Sequence, residues 1–228
     1  MPHTSIATAG LRVSALTLIL AVLCVQVRDG GPLTGADVPA TSWVVGHRSA
    51  TLDHVALLVT ALGSPVATVA FAVICGLALA WRRRSAIPAA VVVGTVGAAT
   101  AASTALKLVV ERSRPAVDLQ EVLETDYSFP SGHVTGTAAL LGITAAILLG
   151  RRHLRVRVCG RAVAGCGVVI VAMTRVYLGV HWMSDVVAGA ILGAVFVTVG
   201  AATYERVHRP LAAVAPPKPL AVVDRVGG

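Results

Sequence analysis

Hydrophobic residues in this chain neither alternate nor keep to one helical face; they run on without interruption. Largely uncharged apolar stretches occupy Leu11 to Val27, Val55 to Trp81, Ala86 to Leu106, Val134 to Gly150, Val158 to Thr174 and Val186 to Thr203. A helix needs about 20 mostly apolar residues to cross the hydrocarbon core of a bilayer, so the pattern predicts six membrane-spanning helices. The second run exceeds one crossing and is broken by Gly63-Ser64-Pro65, because proline cannot continue a helix that precedes it. We therefore read Asp53 to Leu62 as a short interfacial helix or entry turn and Pro65 to Trp81 as the second span. Arg161 falls inside the fifth run, where a position near the helix end would let it snorkel to the headgroups. The first run has a basic flank of Arg12 alone and no small-x-small pattern before Arg28, so it is expected to be a retained helix rather than a cleaved signal.

Composition agrees with a lipid setting. The 228 residues have room for one or at most two domains. They are 56% hydrophobic and 13% charged, with a mean hydropathy of +0.80, whereas about a quarter of an ordinary soluble protein is charged. This excludes a disordered or nucleic-acid-coating chain despite the net charge of +8. The expected fold is all-α, a six-helix membrane bundle over residues 1–204, followed by a flexible, basic, proline-rich tail over 205–228. Arg82-Arg83-Arg84 lies between spans two and three, and Arg151, Arg152, Arg155 and Arg157 lie between spans four and five. Cytoplasmic loops carry the Lys and Arg excess, so both clusters and both termini are predicted inside. Thirteen basic and two acidic residues then fall on that side, against six basic and nine acidic residues outside. The net charge is mostly a topology signal. Cys24, Cys75, Cys159 and Cys166 sit in or beside apolar runs and read as buried thiols, not a disulfide framework. Gly136, Gly142, Gly165, Gly167, Gly189 and Gly193 predict close helix packing in the last three spans.

Polar residues at span ends carry the functional question, and three clusters fall at the outer ends. The first holds Lys107 and Arg114-Pro115; seven helical positions would bring Arg114 almost beneath Lys107, about 10 Å along the axis, with Pro115 ending the helix. The second is Pro130-Ser131-Gly132-His133 at the start of span four. Free backbone N–H groups at a helix start suit an anion, Gly132 allows close approach, and His133 can exchange a proton near neutral pH. The third holds Arg175, His181 and Asp185. A helix through the last two would place the carboxylate beside the imidazole, leaving one ring nitrogen free as a nucleophile, while Arg175 offers a fork of donors suited to phosphate. With cations dominating these clusters, a metal ion is not expected.

In order and spacing, these residues resemble the signature of the type 2 phosphatidic acid phosphatase superfamily: K-x6-R-P, then P-S-G-H, then S-R-x5-H-x3-D. Thr174 stands where serine is usual, which retains the hydroxyl. The resemblance covers the core from span three to span six and implies a helical core shared with the vanadium haloperoxidases. It implies that His181 attacks phosphorus, that Asp185 orients it, and that His133 serves as general acid and then base. Lys107, Arg114, Arg175, Ser131 and Gly132 would bind the phosphate oxygens, with no metal and no cofactor. Arg112 lies outside the signature and is left out of that set.

The implied activity is hydrolysis of a lipid phosphate or diphosphate, of the phosphatidic acid, phosphatidylglycerol phosphate or polyprenyl diphosphate class, at the outer face of the membrane. The expected partners are the lipid substrate and the bilayer, with no nucleic acid; the oligomeric state is left open. A lipid phosphotransferase passing the phosphoryl group to another acceptor fits the same motifs, and a non-enzymatic anion transporter is a third class. Asp118, Glu121, Glu124 and Asp126 read either as a solvated loop or as a cover over the site.

Overall fold

The computed structural model describes residues 6–150 and 152–207. Among these described residues eight α-helices follow in order: α1 (Ile6–Asp29), α2 (Asp37–Val45), α3 (Ala50–Leu62), α4 (Pro65–Arg83), α5 (Ile87–Val110), α6 (Gly132–Leu149), α7 (Leu154–Tyr177) and α8 (Met183–Val207). Single 3-10 turns lie at Pro32–Thr34 and Val117–Leu119. Six of these helices, α1 and α4 to α8, are long and apolar enough to cross a membrane. The shorter α3 is a helix over the stretch expected to hold a short helix or turn before Pro65, which sits at the first position of α4 behind the Ser64 cap; Ser64 Oγ accepts from Ala67 N at 3.2 Å. Proline is favoured there because its missing N–H would be unpaired in any case.

Helix ends differ from the expected span limits in two informative places. α5 stops at Val110, with Glu111 in the left-handed region at φ 51° donating its N–H to Lys107 O at 2.9 Å. The helix therefore ends five residues before Pro115, and Arg114 does not lie on the same helix as Lys107. α8 continues through Val207, so Glu205 to Val207 are helical rather than the start of the tail; the remainder of that predicted tail lies outside the described residues. α7 begins at Leu154, which puts Arg161 in its second turn and exposed on the helix surface.

α6 is the central helix and packs most extensively against α8, with α4, α5 and α7 around it. Without a strong hydrophobic drive between helices in lipid, association relies on close van der Waals contact. Glycines supply it. A Cβ on Gly189 would lie 2.7 Å from Ser131 O, one on Gly193 2.5 Å from Ala138 Cβ, and one on Gly142 2.6 Å from Val197 Cγ2. The Gly189 and Gly193 spacing thus seats α8 on α6 within one chain. Gly165 has nothing within 4 Å and makes no such contact. α4 joins through Gly136, whose Cβ would meet Thr68 Oγ1 at 2.7 Å. Ala72, Val92, Val96, Ala139, Leu140 and Ile143 form a buried core between α4, α5 and α6.

α1 and α7 present the largest unburied apolar faces of the six. The cysteine expectation is corrected here: all four thiols are free, but Cys159 and Cys166 are exposed on α7 and the other two are half-buried. Those exposed thiols stand on a helix surface suited to lipid, where burial against protein is not required.

Gly189→Ala is expected to cost about 1–3 kcal/mol, because the obstructing atom is a backbone carbonyl that cannot rotate away. Thermal unfolding in detergent would read this, with Gly97→Ala, which has nothing within 4 Å, as the neutral or mildly stabilising control. Equal melting midpoints for the two variants would contradict the close α6–α8 seat.

Candidate active site

Antiparallel helices bring four ends together. The last turn of α5, the start of α6, the last turn of α7 and the start of α8 lie at one end of the bundle, opposite the basic α4–α5 and α6–α7 connections. Residues 111–131 link α5 to α6 across this end. Among the backbone contacts that fix the loop are two at its α6 end: Ser128 N donates to Arg112 O at 2.9 Å, and Ser131 N donates to Asp185 O at 3.1 Å. The second ties the α6 entry directly to α8.

His181 and Asp185 meet, though not as one continuous helix. α8 begins at Met183, so His181 lies in the turn before it and Asp185 in the first turn. Asp185 Oδ2 accepts from the Trp182 backbone N–H at 2.9 Å, the reach-back contact of a capping box. The same oxygen lies 3.3 Å from His181 Nδ1. The other ring nitrogen, Nε2, is 3.3 Å from an Arg114 guanidinium nitrogen. Guanidinium only donates, so Nε2 is assigned as the acceptor and Nδ1 as the protonated nitrogen facing Asp185. His181 is 1% exposed. Burial holds its pKa well below the ordinary 6.5, and the positive charges of Arg114, Arg175 and Lys107 push the same way. The ring is a neutral imidazole with its lone pair toward the cations.

Lys107, Arg114 and Arg175 are brought together by two carboxylates. Asp126 pairs with Lys107 at 3.0 Å and also with Arg114. Glu124 pairs with Arg175 and lies 3.7 Å from Arg114. Burial alone would raise the Asp126 carboxyl, but its hydrogen bond to Arg114 and the charge of Lys107 prevail and hold it below the ordinary 3.8. Arg175 is buried and also donates to Thr60 Oγ1 at 2.8 Å. Glu124 and Asp126 are thus neither free in solvent nor merely above the site: they occupy the donors themselves. Glu121, from the same stretch, pairs with Arg48 at 2.9 Å.

The α6 entry completes the cluster. Ser131 is buried, caps α6 without a side-chain cap bond, and its Oγ has no hydrogen-bond partner among the described residues. Arg175 Nε is likewise unpartnered among them. Gly132 has ordinary clearance, with Pro65 Cγ at 3.7 Å and Ser103 Oγ at 3.8 Å from an added Cβ. His133 is half-buried in the first turn and lies within the field of Arg175, His181, Arg114 and Lys107. All eight residues singled out from the sequence therefore stand at this end of the bundle.

Sequence reasoning missed the other half of the polar network. Arg112 donates to Asp185 Oδ1, to Ser184 Oγ at 2.7 Å and to Asp37 Oδ2 at 2.7 Å. Asp37, 3% exposed at the start of α2, also accepts from Ser184 N at 2.8 Å and Ser184 Oγ at 2.6 Å. No spacing rule links a carboxylate to partners 75 and 147 positions away.

The arrangement offers a neutral, oriented imidazole beside a set of cations and unpaired donors, which is suited to an oxyanion. Comparison with known proteins points the same way. Residues 88–209 match the family model described as the PAP2 superfamily. The decaprenylphosphoryl-5-phosphoribose phosphatase of Mycobacterium tuberculosis is 34% identical over 169 residues, covering 69% of this chain and 85% of that protein. Phosphatidylglycerophosphatase B of Bacillus subtilis is 38% identical over 93 residues, 39% of this chain and 44% of its own. Among solved structures, the transmembrane PAP2-type phosphatidylglycerolphosphate phosphatase from Bacillus subtilis superposes with a TM-score of 0.78 at 27% identity, covering 87% of this chain and 98% of that one.

A buried neutral imidazole has a consequence for stability. With its folded pKa below the unfolded value near 6.5, the unfolded chain binds the extra proton, so this contribution is present above about pH 6.5 and is lost as pH falls below it. Melting midpoints in detergent are expected to drop between about pH 7 and pH 5, with a shallower drop in His181→Asn. Identical slopes for the two proteins would contradict the neutral, buried ring.

Proposed function

The chain belongs to the PAP2 superfamily, and from that membership we propose that it is an integral-membrane phosphatase that cleaves the phosphate of a lipid headgroup through a phosphohistidine intermediate. The observation that carries this reading is the convergence of Lys107, Arg114 and Arg175 on the Glu124 and Asp126 carboxylates, beside Nε2 of His181. Two carboxylates held by three cations stand in for the oxygens of a phosphate, which makes the same charge-assisted bonds.

In the proposed reaction the phosphate displaces these carboxylates and engages Lys107, Arg114 and Arg175, together with Ser131 Oγ and the Gly132 N–H. The Nε2 lone pair of His181 forms a bond to phosphorus as the bond to the lipid oxygen breaks, and His133 gives the departing oxygen a proton. Asp185 accepts the Nδ1 hydrogen bond and stabilises the positive charge that develops on the ring. In the second step His133 takes a proton from water, the water oxygen bonds to phosphorus, the N–P bond breaks, and inorganic phosphate leaves. Charge spread over the equatorial oxygens is what the cations stabilise best, and the two steps as written need no metal.

The named relatives act on a decaprenyl-linked phosphoribose and on phosphatidylglycerophosphate; a phosphomonoester on a membrane-anchored headgroup is the substrate class they share. Phosphatidic acid carries the same monoester, and a polyprenyl diphosphate offers a terminal phosphate whose leaving oxygen belongs to the inner phosphate instead of an alcohol. Such a lipid keeps its tails in the bilayer while its phosphate reaches the helix ends. The arginines of the α4–α5 and α6–α7 connections support an orientation with both termini cytoplasmic and the site outside.

Phosphate release by purified protein from phosphatidylglycerol phosphate, phosphatidic acid, decaprenylphosphoryl phosphoribose and undecaprenyl diphosphate tests the activity. His181→Ala is expected to lose at least about 1,000-fold in kcat, and EDTA to leave the wild-type rate unchanged. An active His181→Ala would sink the nucleophile, and inhibition by EDTA the metal-free mechanism. For orientation, a reporter fused after Gly228 is expected to read cytoplasmic; an extracytoplasmic signal would overturn that arrangement.

A further inference from the structure

Asp37 is a buried carboxylate that the proposed reaction does not use, and Arg112 is a cation of the site's own loop that touches none of the carboxylates occupying the other three. Arg112 is committed elsewhere. One of its terminal nitrogens serves Asp185 Oδ1 and Ser184 Oγ, and the other serves Asp37 Oδ2. Its guanidinium lies 5.6 Å from the centroid of the Trp182 ring, whose backbone N–H holds Asp185 Oδ2. Asp37, with both oxygens engaged by Arg112 and by the N–H and Oγ of Ser184, ties the start of α2 to the first turn of α8, where Ser184 directly precedes Asp185.

We infer that Asp37 and Arg112 are positioning residues for His181: Asp37 anchors Arg112, Arg112 fixes Oδ1 of Asp185, and Oδ2 is thereby left aimed at Nδ1 of the ring. This rests on the phosphatase reading and deepens it. A carboxylate in a buried site has two oxygens and a rotatable bond, and an imidazole partner alone does not fix which face it presents. Trp182 N–H and Arg112 hold one oxygen each, so the carboxylate plane is set from both sides. A planar fork can bridge two carboxylates at once, which a point-charge ammonium does poorly. Arg112 therefore differs in task from Lys107, Arg114 and Arg175: it orders the nucleophile's partner and does not hold substrate.

The test is a kinetic comparison of purified variants on the lipid phosphate that the wild type hydrolyses, with folding checked by thermal unfolding and gel filtration in detergent. Arg112→Met is expected to lower kcat by between about 10- and 100-fold, by analogy with the loss of an outer-shell partner that orients a metal-bound side chain, with KM within about twofold of wild type. Arg114→Met, in contrast, is expected to raise KM. Arg112→Lys restores charge but not the fork, and is expected to recover only part of kcat. Asp37→Asn keeps the shape and is expected to lower kcat with KM unchanged. Because Asp37 acts through Arg112, the double variant Asp37→Asn/Arg112→Met is expected to be no slower than Arg112→Met alone. Should Arg112→Met fail to fold, Arg112→Lys and Asp37→Asn carry the same kcat-against-KM comparison. A raised KM with unchanged kcat would make Arg112 a substrate ligand, and fully additive losses in the double variant would separate Asp37 from it; either overturns the inference. His181→Ala in the same assay keeps the two ideas apart: an active His181→Ala refutes the phosphatase mechanism, whereas an inactive one beside a wild-type-like Arg112→Met refutes the positioning pair alone.

Discussion

Four cations crowd the mouth of an otherwise apolar bundle, and the need to neutralise them organises everything at that end. Two unit charges about 4 Å apart repel by about 4 kcal/mol at an effective dielectric constant near 20, so Lys107, Arg112, Arg114 and Arg175 could not be gathered there without compensation. Asp37, Glu124, Asp126 and Asp185 provide it. The 111–131 loop is folded back over the helix ends because its own carboxylates are among the counter-charges, and α2 is drawn in because Asp37 is another.

Packing below the mouth makes that electrostatic arrangement rigid. Gly189 lets α8 approach α6 until the space for its Cβ is filled by Ser131 O, and Ser131 N in turn donates to Asp185 O. The entry to α6, which carries His133, and the entry to α8, which carries Asp185, are therefore locked to one another by backbone contacts. The two histidines come from segments nearly fifty residues apart, and the close α6–α8 seat, together with this peptide hydrogen bond, holds those segments side by side. Helix packing sets the distances, and side-chain charges set the orientations.

The spans and the three polar motifs were legible in the sequence because each is a local signal: an apolar run, a charged pair before a proline, a small-residue helix start, a histidine and an aspartate four apart. The local geometry is not set by those signals alone. Helical phase would place Lys107 and Arg114 together, whereas α5 ends at Val110 and it is Asp126 that brings them together. His181 and Asp185 face each other through a turn and a capping contact, not along a helix. What the sequence hid altogether was partnership over distance: Arg112 looked surplus because its ligands lie in α2 and α8, and the acidic stretch could be read as a solvated loop or as a cover because nothing local shows that Glu124 reaches α7.

The carboxylates of Glu124 and Asp126 also change what affinity means at this site. An anion entering the cluster does not meet bare cations; it trades places with groups that already make charge-assisted bonds to them. Each bond to a bound anion can be strong while the net free energy of association stays small, since it is the difference between two nearly equivalent sets. In the proposed reaction, exchange of this kind works in both directions: the same carboxylates that oppose entry favour departure, and they spare the protein from leaving buried Arg175 and half-buried Lys107 and Arg114 uncompensated between one occupant and the next.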